Sequence, residues 1–92
     1  MVVAEFSITP VGDEEMRPYV DAAVEEVKRA GLKYEVDALS TTVQGNLDQI
    51  FDVVKKAHQA VQSKGVGRII TELRIDDKQE GVSIEDEVEG YR

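Results

Sequence analysis

Apolar and polar side chains alternate along four short stretches of the chain, and along three others apolar side chains recur every three to four residues. Alternation is typical of half-buried strands, which are predicted at residues 2–9, 33–39, 41–44 and 67–76. The longer spacing is typical of amphipathic helices, which are predicted at residues 14–30, 47–64 and, more briefly, 83–91.

Capping and stop residues mark the ends of the predicted helices. Pro18 fits only in the first turn of a helix, so the first helix is expected to become regular just before it. Gly31 and Gly65 follow the first two helices as stop signals. Asn46 is a good N-cap, and Gln49, three residues later, makes a capping-box-like pair with it.

The order of the predicted elements indicates one α+β domain over residues 1–92. The order βαββαβ is that of the ferredoxin-like fold, in which two helices cover one face of a four-stranded antiparallel sheet. The two middle strands are predicted to form a hairpin that turns near Ser40 and Thr41. A short C-terminal helix would then dock on another apolar surface.

The second face of this sheet has no long helix left to cover it. Alternation places on it carboxylates, arginines, hydroxyls and three aliphatic side chains, namely Val3, Glu5, Ser7, Thr9, Glu35, Asp37, Leu39, Thr42, Gln44, Arg68, Ile70, Glu72 and Arg74. One interpretation is a solvated face, which antiparallel sheets permit. The other is a face that meets a second subunit, with a polar pocket at one end.

Composition excludes several classes of protein. The net charge of −8 repels bare nucleic acid, and no basic cluster offsets it. The absence of cysteine excludes disulfides and thiolate chemistry, and no metal-ligand spacing occurs. The N-terminus does not resemble a signal peptide, and no apolar run reaches the roughly 20 residues of a membrane helix. We therefore expect a cytoplasmic protein with no nucleic-acid or membrane partner.

The turn at Gly45 and Asn46 is the strongest local candidate for ligand binding. It lies at a helix N-terminus, where backbone N–H groups favour a polar or anionic atom, and Gly45 permits close approach. Thr41, Thr42 and Gln44 add hydrogen-bonding groups beside it. The alternative is an ordinary capped turn, since such caps begin most helices.

Catalytic constellations are weak. His58 is the only histidine and is interpreted as a residue at the edge of the helix stripe. Glu5 and Glu72 could form a carboxylate pair, but Arg68 and Arg74 are expected beside them, so structural ion pairs are favoured. We expect no catalytic residue and no enzyme.

Four segments carry a family resemblance: "AEFSITPVG" at 4–12, "STTVQGNLDQIF" at 40–51, His58, and "GRIITELRIDD" at 67–77. In their order and spacing they resemble the UPF0045 or DUF77 family, of the YkoF-like thiamine/hydroxymethylpyrimidine-binding superfamily. The resemblance implies a ferredoxin-like fold. It also implies a homodimer or a dimer of dimers (a homotetramer), with thiamine or its pyrimidine precursor bound at the subunit contacts.

The resemblance also points to particular residues. The family stretch reads roughly Gly-Thr-x-Ile/Val-Glu-Gly, and here Thr41, Val43 and Gly45 match it. Ser40 replaces the first glycine and Gln44 replaces the glutamate, which removes a charge that a cationic ligand would favour. An amide can still hydrogen-bond such a ligand.

The resulting hypothesis is a non-enzymatic oligomer that binds a small heterocycle, with no cofactor apart from that ligand. Polar contacts are assigned to Ser7, Thr41, Thr42 and Gln44, with close approach at Gly45. Leu39 and Ile70 would form an apolar floor, and Arg74 would bind an anionic group or a partner carboxylate. The alternatives are a structural or regulatory oligomer without thiamine binding, and an acylphosphatase-like hydrolase. The acidic "TPVGDEE" after the first strand argues against the hydrolase, because that chemistry needs an anion-cradling loop.

Overall fold

Seven elements follow one another in the computed structural model, which describes residues 1–12 and 15–91. They are β1 (Val2–Pro10), α1 (Arg17–Ala30), β2 (Lys33–Val36), β3 (Thr41–Gly45), α2 (Leu47–Gln62), β4 (Ile69–Asp76) and α3 (Ile84–Val88). This is the predicted order, and the assignment to one domain over residues 1–92 stays a prediction.

The four strands form one antiparallel sheet in the order β2-β3-β1-β4. With α1 and α2 on one face, this is the ferredoxin-like α+β fold, as predicted. β1 lies in the middle, and Ala4 is opposite both Val43 of β3 and Ile75 of β4. The pairing with β3 reaches only to Phe6, whereas the pairing with β4 continues to Pro10.

The main core lies between the sheet and the two long helices. Alternate residues of β1 supply its sheet side, and the apolar stripes of α1 and α2 supply the other. Its most deeply buried large side chains are Val27, Val43, Ile50, Val53 and Val61. Because the core is aliphatic and interdigitated, it fixes which face of every strand is turned away from the helices.

The first helix begins at Arg17, with Pro18 in its first turn, as its fixed φ allows. Residues 13 and 14, where the predicted helix was to start, lie outside the described residues. Gly31 ends the helix in the left-handed region at φ 71° and donates its N–H to the Lys28 carbonyl at 3.2 Å. Glycine adopts this conformation without the steric cost of a Cβ.

The second helix begins with a complete capping box. The Asn46 side chain accepts from the Gln49 N–H at 2.9 Å, and the Gln49 side chain accepts from the Asn46 N–H at 2.9 Å. A Cβ on Gly45 would lie 3.0 Å from the Gln49 Oε1 and 3.3 Å from the Leu32 Cδ2. Glycine at this position therefore leaves room for the cap itself.

The turn of the β2–β3 hairpin lies earlier than the predicted turn at Ser40 and Thr41. β2 ends at Val36, three residues before the predicted end, and the Asp37 N–H donates to the Ser40 carbonyl at 2.9 Å. Since β3 begins at Thr41, opposite Val36, the residues between them have no strand to pair with. The alternation of apolar and polar residues runs on through 37–40, although the backbone bends at residues 38 and 39, so the pattern did not show where the strand ends.

Smaller corrections concern three other boundaries. α2 ends at Gln62 rather than at residue 64, β4 begins at Ile69 rather than at residue 67, and α3 spans Ile84–Val88 rather than 83–91. Turns at both ends of the 63–68 connection take up the difference between the first two predictions and the structure. Single-sequence patterns place such ends only to within a few residues.

The short helix α3 lies on the second face of the sheet. Val82 and Ile84 are buried there against Val3, in a small apolar cluster separate from the main core. The Gln44 side chain accepts the Ile84 N–H at 2.8 Å, and Lys33 forms an ion pair with Glu85. The second face is thus partly covered by the protein's own C-terminal segment.

Asn46→Ala is expected to lower the free energy of unfolding by about 0.5–2 kcal/mol, because it removes the acceptor for the Gln49 N–H. Urea unfolding followed by circular dichroism measures the change. Gln59→Ala, on an exposed part of the same helix, serves as the control and is expected to change stability by less than about 0.5 kcal/mol. Equal losses in the two variants would contradict a specific role for the cap.

Candidate functional site

The candidate site lies where β1 extends beyond β3. Within the described part of the sheet, residues 7–10 of β1 pair with β4 alone, and the turn 37–40 lies along their other side. Two depressions, one on each face of the sheet, meet at Phe6, Ser7, Leu39 and Ser40. We call this gap the turn site.

On the helix side, the turn site is an apolar cavity of about 330 Å³. Phe6 and Ile8 of β1, Met16 and Val20 at the start of α1, and Val36 of β2 supply its walls. This volume and this apolar character suit a small organic ring, because ligand cavities are mostly apolar with a few polar groups.

On the open face, the turn site is a polar depression of about 240 Å³. Glu5 makes two hydrogen bonds there. One carboxylate oxygen accepts a hydrogen bond from the Ser40 Oγ at 3.1 Å, and the other accepts one from the Arg74 Nη1 at 3.2 Å. Glu72 also lines the depression. Because the Arg74 side chain is 85% exposed, the ion pair is weak and can be exchanged for another partner.

A third cavity, of about 340 Å³, lies beside it under α3. Glu5 and Arg74 line both depressions of the open face, so that their ion pair separates the two. Carboxylates dominate the lining of this third cavity, which includes Glu35, Asp37, Asp76 and Glu87. We call it the acidic cavity.

A pair of carboxyl groups closes the acidic cavity at α3. The hydrogen bond to Asp76 is the largest cause that raises the pKa of Glu87 above its ordinary value of 4.5. Desolvation and the charges of Asp76 and Asp86 raise this pKa further, whereas Lys78 lowers it. A raised carboxyl pKa means that the folded state binds the proton more tightly than the unfolded chain does.

Three of the predicted ligand residues meet at one place. Ser7, Leu39 and Arg74 line the polar depression of the turn site. Leu39, at the tip of the turn, is 91% exposed, and Ser7 is half-buried. Thr41 is buried and lines the apolar cavity on the opposite face of the sheet.

The other predicted residues lie elsewhere. Thr42 lines the acidic cavity, Gln44 binds the backbone of α3, and Gly45 lies at the cap of α2. Ile70 is opposite Thr9, near the far end of β1, and is 45% exposed. The prediction that all eight residues contact a ligand is not tested by this arrangement.

The sequence analysis did not predict the hydrogen bond from Ser40 to Glu5. It also did not predict that Met16 and Val20 line the apolar cavity. The Glu5–Arg74 neighbourhood was predicted, because both residues fall on the same face of adjacent strands. Ser40 could have been found only by ending β2 at Val36, which brings the turn alongside β1. The polar run "DALS" at 37–40 was the available signal.

His58 lines neither the turn site nor the acidic cavity. Its Nδ1 is 2.6 Å from the Thr71 Oγ1, on the helix side of β4. Among residues 1–12 and 15–91, no three His, Cys, Asp or Glu side chains are arranged to hold a metal ion. None of the helices in this part of the chain is long and apolar enough to cross a membrane.

The chain belongs to the thiamine-binding protein family, whose profile it matches over residues 4–92. It is 34% identical to a UPF0045 protein of Methanothermobacter thermautotrophicus, over 100% of this chain and 97% of that relative. The predicted resemblance to the UPF0045/DUF77 family is therefore confirmed.

Solved structures agree with this assignment. A DUF77 domain from Bacillus cereus superimposes with a TM-score of 0.90 and 39% identity, over 99% of this chain and 89% of that one. A suggested thiamine biosynthesis or salvage protein of Thermotoga maritima superimposes with a TM-score of 0.89 and 32% identity, over 99% and 98% of the two chains. The family and the fold together support a thiamine-related small-ligand role.

The Asp76–Glu87 pair makes a prediction for titration. The Glu87 side chain is expected to protonate at a higher pH than an ordinary glutamate, and Asp76→Asn is expected to bring its midpoint back toward 4.5. Carbon-detected NMR of the side-chain carboxyl groups measures both midpoints. Since the folded-state pKa is raised, the pair's contribution to stability is present at low pH and lost as the pH rises through that pKa. An unchanged Glu87 midpoint in Asp76→Asn would contradict the pairing.

Proposed function

We propose that this protein is a non-enzymatic binding protein for thiamine or a related pyrimidine, which it holds at the turn site. Membership in the thiamine-binding protein family supports the ligand class. The location is supported by one observation: the apolar cavity and the polar depression of the turn site meet at Phe6, Ser7, Leu39 and Ser40. Thiamine has the same two-part character, a flat pyrimidine ring joined to a positively charged thiazolium.

In this proposal the apolar cavity takes the ring. Phe6, Ile8 and Leu39 offer apolar contact, and hydroxyl groups of Ser7 and Thr41 can hydrogen-bond ring nitrogens and the amino group. Burial of a flat ring against aliphatic and aromatic side chains supplies most of the binding free energy.

The carboxylates of the open face then take the positive charge. Glu5 and Glu72 line the polar depression, and the exposed Arg74 can move aside from Glu5. A thiazolium makes no hydrogen bond through its ring nitrogen, so its recognition rests on charge. Glu5 thus serves the role that the family glutamate was expected to serve at position 44.

The exposed apolar side chains around the turn site favour assembly of the protein with itself. Leu39 is 91% exposed, and Val36, which lines the apolar cavity, is 47% exposed. A second copy that covers Leu39 would close the mouth of the site, which matches the ligand position at subunit contacts that the family resemblance implies. We propose a homodimer or dimer of dimers in the cytoplasm.

Calorimetric titration of the protein with thiamine and with hydroxymethylpyrimidine tests the site. Leu39→Ala is expected to weaken both ligands by about 1–3 kcal/mol, because an apolar contact is lost. Glu5→Gln is expected to weaken thiamine by about 1 kcal/mol and to leave the uncharged pyrimidine within about 0.5 kcal/mol, because only thiamine carries the charge.

Matched variants serve as controls for this experiment. Leu47→Ala and Glu25→Gln change the same residue types at exposed positions on α2 and α1, outside the turn site, and are expected to leave both affinities unchanged. No heat with either ligand in a folded protein would overturn the proposed function and favour a structural or regulatory oligomer. If each control variant weakened binding as much as its matched variant in the turn site, the ligand would not be bound at the turn site.

The assembly has a separate test. Light scattering coupled to size-exclusion chromatography is expected to give a mass at least twice the 10.2 kDa of one chain. Leu39→Glu is expected to shift the protein toward monomer, because it places a charge in the covered interface, whereas Leu47→Glu is expected not to. A monomeric wild type at micromolar concentration would contradict the proposed assembly.

A further inference from the structure

Residues 82–88 cross the open face of the sheet as a short segment held by a few contacts. Val82 and Ile84 pack on Val3, which is 8% exposed, and the Gln44 side chain accepts the Ile84 N–H at 2.8 Å. Ser83 accepts the Asp86 N–H at 3.2 Å and so caps the helix. The segment supplies one wall of the acidic cavity through Ile84, Glu87 and Val88.

This segment cannot hold its own shape. α3 has five residues, whereas isolated helices shorter than about 12–15 residues are marginal in water. An exposed loop, residues 77–80, connects it to β4 and gives no packing support. Its helical form therefore depends on docking, and segments held by few buried contacts open locally below the free energy of global unfolding.

The hydrogen bond from the Ile84 N–H to the Gln44 side chain ties the backbone of the segment to the sheet, whereas the Lys33–Glu85 and Asp76–Glu87 contacts join side chains only. The Gln44 side-chain oxygen lies on the sheet face opposite the main core and binds a backbone N–H at the start of α3, where helix donors have no partner within the helix. The packing of Val82 and Ile84 fixes the position of the segment along the sheet face only loosely, because apolar contacts are not directional.

We infer that residues 82–88 form a strap that opens and closes the acidic cavity, and that Gln44 is the latch that holds it closed. In this arrangement Gln44 serves the strap rather than a ligand. The inference does not rest on the proposed function, because strap opening is a property of the protein without ligand.

The charges around the strap are consistent with a weakly held segment. Lys33 pairs with Glu85 and favours docking. Glu87 faces Asp76 at the end of β4, and the described residues that line the same cavity also include Glu5, Glu35, Asp37 and Arg74. Asp86 and Lys78 lie close enough to Glu87 to act on its charge. Deprotonation of Glu87 adds repulsion with the Asp76 carboxylate, so the closed strap is favoured at lower pH.

A single introduced thiol reports opening, because the chain has no cysteine. Val3→Cys places the thiol under the strap, and its rate of reaction with a maleimide measures how often the strap opens. In Val3→Cys with Gln44→Ala the rate is expected to rise about tenfold, the usual effect of losing one hydrogen bond. Gln44→Glu keeps an acceptor oxygen and is expected to restore a rate near that of Val3→Cys alone.

Two further single-cysteine variants give the fastest and slowest maleimide reaction rates with which the Val3→Cys rate is compared. Gln59→Cys, at an exposed position on α2, gives the open rate, and Val53→Cys, in the main core, gives the rate of global unfolding. Ile84→Cys on the strap itself repeats the measurement if Val3→Cys fails to fold.

Three results would overturn the inference. A Val3→Cys rate equal to that of Gln59→Cys would mean that the strap is not closed. A rate equal to that of Val53→Cys would mean that it opens only when the whole protein unfolds. A rate unchanged by Gln44→Ala would mean that Gln44 is not the latch. Thiamine binding that fails in calorimetry leaves each of these readouts intact, so the two proposals fail separately.

Discussion

The difference in length between β1 and β3 is the constraint on which the candidate site depends. β3 begins opposite Phe6, so the last four residues of β1 have β4 on one side and the 37–40 turn on the other. A sheet of matched strands would have filled this space with backbone hydrogen bonds. Here the turn, the start of α1 and β1 instead surround a gap that is apolar on one face and acidic on the other. The proposal that this gap holds a thiamine-like ligand combines this geometry with membership in the thiamine-binding protein family.

The second face of the sheet has an apolar part and a charged part. Part of it is covered by the C-terminal segment, which buries Val3 under Val82 and Ile84. The rest carries the ion pair of Glu5 and Arg74 between two depressions. Within one chain the face is therefore partly covered and partly open. The interpretation that it meets a second subunit stays a prediction.

The fold was predictable because its signals are local and repeated. The alternation of Val2, Ala4, Phe6 and Ile8, and the helical spacing of the stripe on α2, each reflect burial against one core. The capping box of Asn46 was readable for the same reason, since both partners lie within one turn. The site was less predictable. Gln44 was assigned to a ligand, and this stays a prediction; the sequence did not indicate that its side chain accepts a backbone N–H 40 residues away.

The sequence by itself determined the order of elements, the buried face of each strand and the helix cap, because these depend on periodicity and on short-range chemistry. The family was indicated separately, by the resemblance of four segments in their order and spacing. Only the tertiary structure decided where β2 ends, that Ser40 binds Glu5, and that α3 lies over Val3. Those features depend on which distant residues meet. That is set by strand register and by the relative lengths of β1 and β3, which the pattern of a single strand does not contain.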